Sequence, residues 1–351
     1  GKPSAVVLHS NYGKFNCTEW KDLLRIYYLS PAYAVEFALG FPGNLLVVLG
    51  YVFCLQKWRS TNIYLFNLTV SDLVFLCTLP HLSYLYANNL KNIASCIINR
   101  YILHTNLYSS ILFMVWVSMD RFLLIRYPSR QHFLLTNRAA VCLSILTWVS
   151  VNAQVAPLIS YMVQDLNKYN ICRDFGSLGD VDYTLGYSLA LTVTGYLLPL
   201  LGLCFFSYDI YKLLHAQEGV IQGRKSTFRR PLRVVSAATA LFFILYLPYH
   251  VMRNVRIMSQ LSLAGLSLDQ QKCIEGAYML TRPVAFAHSV INPVFYFLIG
   301  DQFRELLLAK IRGLGRVIQT NRVSRTSDLV RNPDLGMHSC TQTHIQTQTQ
   351  M

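Results

Sequence analysis

Seven long apolar runs, separated by short polar connections, dominate the pattern along the 351 residues. They fall at about 28–54, 62–87, 96–125, 139–160, 184–211, 233–257 and 274–298, each long enough or nearly so to cross a bilayer as a helix of about 20 residues. The third is bounded by Cys96 and Pro128, and its polar groups collect at its two ends. Arg100 and His104 lie four apart near its start and share a helix face, while Asp120 and Arg121 close the other end. The pattern predicts an all-α membrane protein, a seven-transmembrane helix bundle. The 1–27 segment reads as an N-terminal head and 28–300 as the membrane domain. Residues 301–317 predict a short amphipathic surface helix, with Phe303, Leu306, Leu307 and Ile311 at helical spacing among basic residues. Residues 318–351, rich in Gln and Thr and without apolar period, predict a disordered tail.

Composition agrees, with 53% hydrophobic and only 14% charged residues, where a soluble domain has about one quarter charged. The net charge of +14 does not imply nucleic acid, because the basic residues sit in short connections and in the tail. Placing the N-terminus outside puts nineteen of the thirty-one Lys and Arg residues on the cytoplasmic side, as the positive-inside rule requires. The C-terminus is then inside.

The outer ends carry candidate chemistry. Asn16-Cys17-Thr18 is an N-glycosylation pattern in the head, with Asn16 as acceptor. Cys17, Cys96, Cys172 and Cys273 lie outside or at span edges, and their three pairings stay open on sequence alone. Arg100, His104, Arg253, Arg256 and Arg282 place cationic groups at the outer ends of three helices, with Tyr33 and Tyr86 at similar depth on two more. Such a cup suits a small anion, and arginines on separate walls suit one with two acidic ends. The plain alternative is that these arginines reach toward headgroups or pair with Glu36, Asp174, Asp269 and Glu275.

Asp72 is the acid within the second span, where an ionised carboxylate needs compensation. Asn44, Ser110, His288 and Asn292 are its expected companions, and Asp72, Ser110 and Asn292 form a candidate sodium site. The alternative is a neutral acid in a hydrogen-bond network. No HExxH, GxSxG or GxxxxGK[ST] motif and no cysteine pair at metal spacing occurs, so neither an enzyme nor a cofactor is expected. A transporter of organic anions is the rival class, but the paired halves with matching broken helices that it usually shows are not seen here.

Gly43-Asn44, NLTVSDL through Asp72, Cys96, Asp120-Arg121-Phe122, Trp148, Pro199, Pro248 and Asn292-Pro293-Val294-Phe295-Tyr296 stand in order at spacings that resemble the rhodopsin-like G-protein-coupled receptors. The runs NRYILH, PYHVMRNVRI and SVINPVFYFLIGDQFRE look like that family's dicarboxylate receptors. The resemblance implies sensing of extracellular succinate, or of oxoglutarate or another small anion, through Tyr33, Tyr86, Arg100, His104, Arg253 and Arg282. It implies disulfides Cys96–Cys172 and Cys17–Cys273. It further implies a core switch at Pro199, Ile111, Phe242 and Tyr246, an inner switch at Asp120 and Arg121, and coupling through Asn292, Pro293 and Tyr296. The implied partners are a heterotrimeric G protein, Gi first and Gq second, arrestin and membrane lipids, in a plasma-membrane setting. The chain departs from the family pattern at Ser207, where a tyrosine is common, although Tyr208 lies alongside.

Overall fold

The computed structural model describes residues 16–88, 93–127, 132–169, 174–217, 225–261, 265–299 and 312. Within the compact unit Gly1–Ile299, the described residues form seven helices and two short 3-10 segments. The expected surface helix at 301–317 and tail at 318–351 lie outside the described residues, Arg312 apart.

Helix α1 spans Cys17–Cys54, α2 Ser60–Ala87, α3 Ile93–Arg126, α4 Asn137–Tyr169, α5 181–217, α6 Lys225–Met258 and α7 268–299. α1 starts well before its apolar run, because CTEWKDLL is an amphipathic turn pattern and not an apolar one. The side chain of Asn16 caps it, accepting from the Thr18 and Glu19 backbone N–H groups. A π-helical turn at Arg25–Leu29 joins this outer piece to the membrane part, and a second interrupts α5 at Val193–Leu197. α7 opens on a reciprocal capping box between Ser267 and Gln270.

α1 through α6 are long and apolar enough to span a membrane by length and composition. α7 carries Lys272, Glu275 and Arg282 in its outer half and breaks at Ala287, so its apolar run is shorter; it nevertheless packs on α1, α2 and α6 within the bundle. α3 is the central helix, with 67% of its most apolar stretch buried against 28% for α1, α4 and α5, and it meets α2, α4, α5 and α6. The lipid-facing α1, α4 and α5 expose Leu39, Phe53, Leu146, Val149 and Leu201 instead.

Prolines shape the helices where a freed carbonyl is tolerated by neighbours. α2 is broken at Cys77–Thr78, just ahead of Pro80, and Thr78 Oγ1 donates to the Phe75 carbonyl at 2.7 Å. Around Pro283 the ladder re-forms through Ala287 N–H to the Pro283 carbonyl at 2.9 Å. Close packing elsewhere requires glycine. A Cβ on Gly195 would stand 2.4 Å from Tyr108, so this position of α5 accepts no larger residue without shifting α3. Gly276 likewise admits Trp20, which docks the outer turn of α1 on α7 beside the Cys17–Cys273 disulfide.

Candidate functional site

At one end of the bundle two of the arginines singled out above converge on one acid, Asp174, in the loop between α4 and α5. Arg100 of α3 and Arg282 of α7 both form ion pairs with it, using different carboxylate oxygens. Arg282 is buried, so this carboxylate compensates a guanidinium that has left water. Tyr86 of α2 is hydrogen-bonded to Arg282, and Tyr33 of α1 stacks on Tyr86 with ring centroids 6.0 Å apart. Arg282 also lies over the ring of Tyr278 at 4.8 Å. Four helices thus bring Tyr33, Tyr86, Arg100 and Arg282 together, with the two arginines on one carboxylate.

His104 sits one turn deeper on the face of Arg100, as their spacing requires. Its Nδ1 meets the Arg100 carbonyl at 2.8 Å, so that nitrogen carries the proton and Nε2 accepts from the Tyr249 hydroxyl at 3.1 Å. Tyr249 connects to Arg253, whose guanidinium carbon lies 5.6 Å from that ring and 5.0 Å from the ring of Phe175. Arg253 is fully buried and donates to the Tyr108 hydroxyl at 2.8 Å, the Ser188 hydroxyl at 2.9 Å and carbonyl at 3.1 Å, and the Thr192 hydroxyl at 3.0 Å. These are neutral oxygens. Its charge is solvated by the protein without being cancelled, which leaves a strong positive potential in a place of low dielectric.

Arg256 belongs elsewhere. It donates to Glu275 at 3.2 Å and Ser177 at 3.2 Å, and Glu275 also takes Lys21 at 3.3 Å and Lys272 at 3.6 Å. This outer clasp joins α1, α6 and α7 and withdraws Arg256 from the cup. Asn16 is exposed at the start of α1, with its side-chain oxygen engaged in the cap. Cys17 and Cys273 are joined in a disulfide. Cys96 is disulfide-bonded as well, while Cys172 lies outside the described residues.

Below the cup, the Asp72 carboxylate receives Asn106 Nδ2 at 3.0 Å, Ser110 Oγ at 3.4 Å, Ser289 Oγ at 2.8 Å and Asn292 Nδ2 at 2.7 Å. His288 Nε2 stands 3.6 Å away. Ser110 and Asn292 are therefore present as expected, Asn106 and Ser289 are additional, and Asn44 is not part of the shell. Asn44 instead donates to the Gly40 and Ser289 carbonyls at 2.9 and 2.8 Å, locking α1 to α7. The amides of Asn106 and Asn292 present N–H groups to the carboxylate, so the oxygens at hand for a hard cation are those of Asp72 itself and the Ser110 and Ser289 hydroxyls.

Beside this network a small cavity is lined in part by Ser110, Phe242, Tyr246, His288 and Asn292. Ile111, Pro199 and Phe242 are buried, and the rings of Phe242 and Tyr246 meet edge to face at 4.9 Å. Tyr246 in turn lies 5.3 Å from His288, so α6 and α7 touch at this level through aromatic faces. Ser207 bonds to Thr239 of α6 at 3.0 Å, whereas Tyr208 is 63% exposed and directed away from the bundle. Tyr208 therefore does not take the place of the missing tyrosine. Pro293 is buried in the C-terminal part of α7, and the backbone of Tyr296 continues that helix.

At the opposite end of the bundle, Asp120 accepts hydrogen bonds from Ser60 and Thr61 at the start of α2. Arg121 donates to Thr61 Oγ1 at 2.7 Å. Thr61 thereby links the acid and the base, a role that neither hydroxyl advertises in the sequence.

An all-helical bundle with a polar cup at one end, a buried acid at its middle and an Asp-Arg pair at the other defines a membrane receptor of the seven-helix class. The family model described as "7 transmembrane receptor (rhodopsin family)" matches residues 43–296, and the chain belongs to that family. It is similar to succinate receptor 1 of Rattus norvegicus, at 45% identity over 303 residues, covering 85% of this chain and 95% of the relative. It is also similar to a purinoceptor of Homo sapiens, at 30% identity over 325 residues (91% and 86%), and to 2-oxoglutarate receptor 1 of Rattus norvegicus, at 31% over 305 residues (85% and 88%).

Proposed function

We propose that the protein is a plasma-membrane receptor for extracellular succinate that couples dicarboxylate binding to a heterotrimeric G protein. The N-terminus lies outside and the C-terminus inside. Gi is the first expected partner, Gq the second, and arrestin the partner that follows activation. The observation that carries this reading is the convergence of Arg100 and Arg282 on a single carboxylate, beside Arg253, a third guanidinium held only by neutral oxygens. One carboxylate of a small dianion fits where Asp174 now sits, and the other reaches toward Arg253 past His104 and Tyr249.

Affinity alone produces no signal, because a ligand shifts an equilibrium only by the difference in its binding to two states. Arg253 is on α6 and Arg100 on α3, so a dianion that spans them draws α6 toward α3 at the outer end. α6 continues past Tyr246 and Phe242, which places the aromatic contacts with α7 in the path of that motion. The inner ends then separate around Asp120 and Arg121. Charge placement supports the orientation, since Lys57, Arg59, Arg126 and Arg138 stand at the helix ends on the side of Arg121.

The test is a panel of acids applied to cells expressing the chain, with G-protein activation as the readout. Succinate is expected to be the most potent. Silence toward succinate with a robust response to oxoglutarate would overturn the ligand assignment. Accumulation of the acid inside cells without G-protein activation would overturn the receptor reading in favour of transport.

A further inference from the structure

The cup has a cation that sequence analysis passed over. Arg25 lies at the start of the π-helical turn in α1, and its guanidinium carbon stands 5.3 Å above the ring of Tyr86. Its Nε is buried without a hydrogen-bond partner, and no described carboxylate forms an ion pair with it. Tyr86 therefore carries Arg25 on its face and Arg282 on its hydroxyl.

The π turn explains how Arg25 gets there. On an ideal helix, residues eight apart differ by about 80° around the axis, so Arg25 and Tyr33 would face different directions. A π turn acts as one inserted residue and takes back about 100° of phase. Arg25 returns to the face of Tyr33, which is the face that stacks on Tyr86. A local departure from regular helix is thus spent on aiming this arginine.

We propose that Arg25 is a third acid-recognition point at the mouth of the site, and that it extends the ligand range to small aliphatic tricarboxylates. This rests on the dicarboxylate reading above and deepens it. The cationic corners are then three: Arg100 with Arg282, which already grip one carboxylate, Arg253 below, and Arg25 above Tyr86. A dianion satisfies the first two. A ligand with a third carboxylate gains a charge-assisted contact to Arg25, while a dianion has nothing to offer it. Arg25 therefore sets specificity between ligand classes more than affinity for the smaller one.

The test is direct binding to the purified full-length chain in lipid nanodiscs, with succinate and propane-1,2,3-tricarboxylate as probes, for wild type, Arg25→Ala and Arg25→Lys. Wild type is expected to bind both. Arg25→Ala is expected to weaken the tricarboxylate about tenfold and succinate by less than about threefold, the size of one hydrogen bond to a charged group. Arg25→Lys keeps the charge but loses the planar fork and is expected to recover part of the loss. Thermal unfolding without ligand checks that each variant is folded, and should Arg25→Ala not fold, Arg25→Lys decides by whether its loss is confined to the tricarboxylate. Equal losses for both probes, no loss for either, or failure of wild type to take the tricarboxylate would overturn the proposal. If wild type binds succinate but not the tricarboxylate, only this inference falls. If it binds the tricarboxylate through Arg25 but not succinate, the ligand assignment above falls instead.

Discussion

Asp174 and Arg282 are joined across the bundle by an ion pair in which an acid from the loop between α4 and α5 meets a buried guanidinium of α7. The acid stands where a ligand carboxylate would gain most, and Arg100 completes its grip. In the proposed binding mode, ligand and loop compete for the same two arginines. A receptor whose binding groups are engaged internally shows an apparent affinity reduced by the fraction of time they are free. Asp174→Asn is expected to raise succinate affinity by about tenfold, since a neutral amide still fills the space but competes weakly. Equilibrium binding on membranes measures this. Unchanged or weaker binding would mean that Asp174 positions the arginines without competing for them.

Arg282→Ala removes the guanidinium that the Tyr86 hydroxyl and Asp174 both engage. Truncating one partner of a buried charge pair costs about 2 to 5 kcal/mol, so the succinate response is expected to weaken by at least about thirtyfold. Surface expression should persist, because Asp174 retains Arg100. The check is a dose-response curve normalised to surface receptor. An unshifted curve would remove Arg282 from the site.

The cup was legible in outline because it rests on short-range rules. Arg100 and His104 share a face by spacing alone, and the structure places both at the cup. Long-range pairing was the hidden part. Asp174 could be read as one of four acids able to neutralise the arginines, but not as the one that takes two of them. Arg256 has the same sequence signature as Arg253, three residues away, and only the position of Glu275 separates their fates. The π turn in α1 is invisible to a 3.6-residue period, and with it went Arg25. Around Asp72, Asn106 and Ser289 escaped notice because Asn and Ser are common on helix faces that only bond their own backbone.

The Asp72 network joins α2, α3 and α7 through Asn106, Ser110, Ser289 and Asn292. A sodium ion held there would tie α7 in its present position next to Pro293 and oppose movement toward the active state. Raising sodium at constant ionic strength, with choline as the replacement, is therefore expected to lower agonist affinity several-fold in wild type. In Asp72→Asn the carboxylate is gone and the sodium dependence should vanish, while sensitivity to total salt at the exposed outer surface remains. Equal sodium dependence in both proteins would remove the cation from this site and leave the hydrogen-bonded acid as a structural element.

Thr61 joins Asp120 and Arg121, the proposed switch pair, at a single oxygen, donating to Asp120 and accepting from Arg121 at 2.7 Å. Thr61→Val keeps the shape and removes both bonds. Asp120 retains Ser60, so the acid is not abandoned, but Arg121 loses a link to α2. Hydrogen bonds to charged groups contribute about 1.5 to 3 kcal/mol, and even the lower figure moves a two-state equilibrium about tenfold. Basal G-protein activation without ligand is therefore expected to rise in Thr61→Val, with succinate affinity unchanged or somewhat higher because the active state is more populated. Arg121→Ala separates holding from action. It should bind succinate yet fail to activate the G protein if, as proposed, the released arginine is the group that the partner meets. Nucleotide exchange on purified G protein measures both variants in one assay. A basal rate in Thr61→Val equal to wild type would show that Thr61 braces α2 on α3 without restraining the switch, and loss of binding together with activation in Arg121→Ala would assign Arg121 to folding.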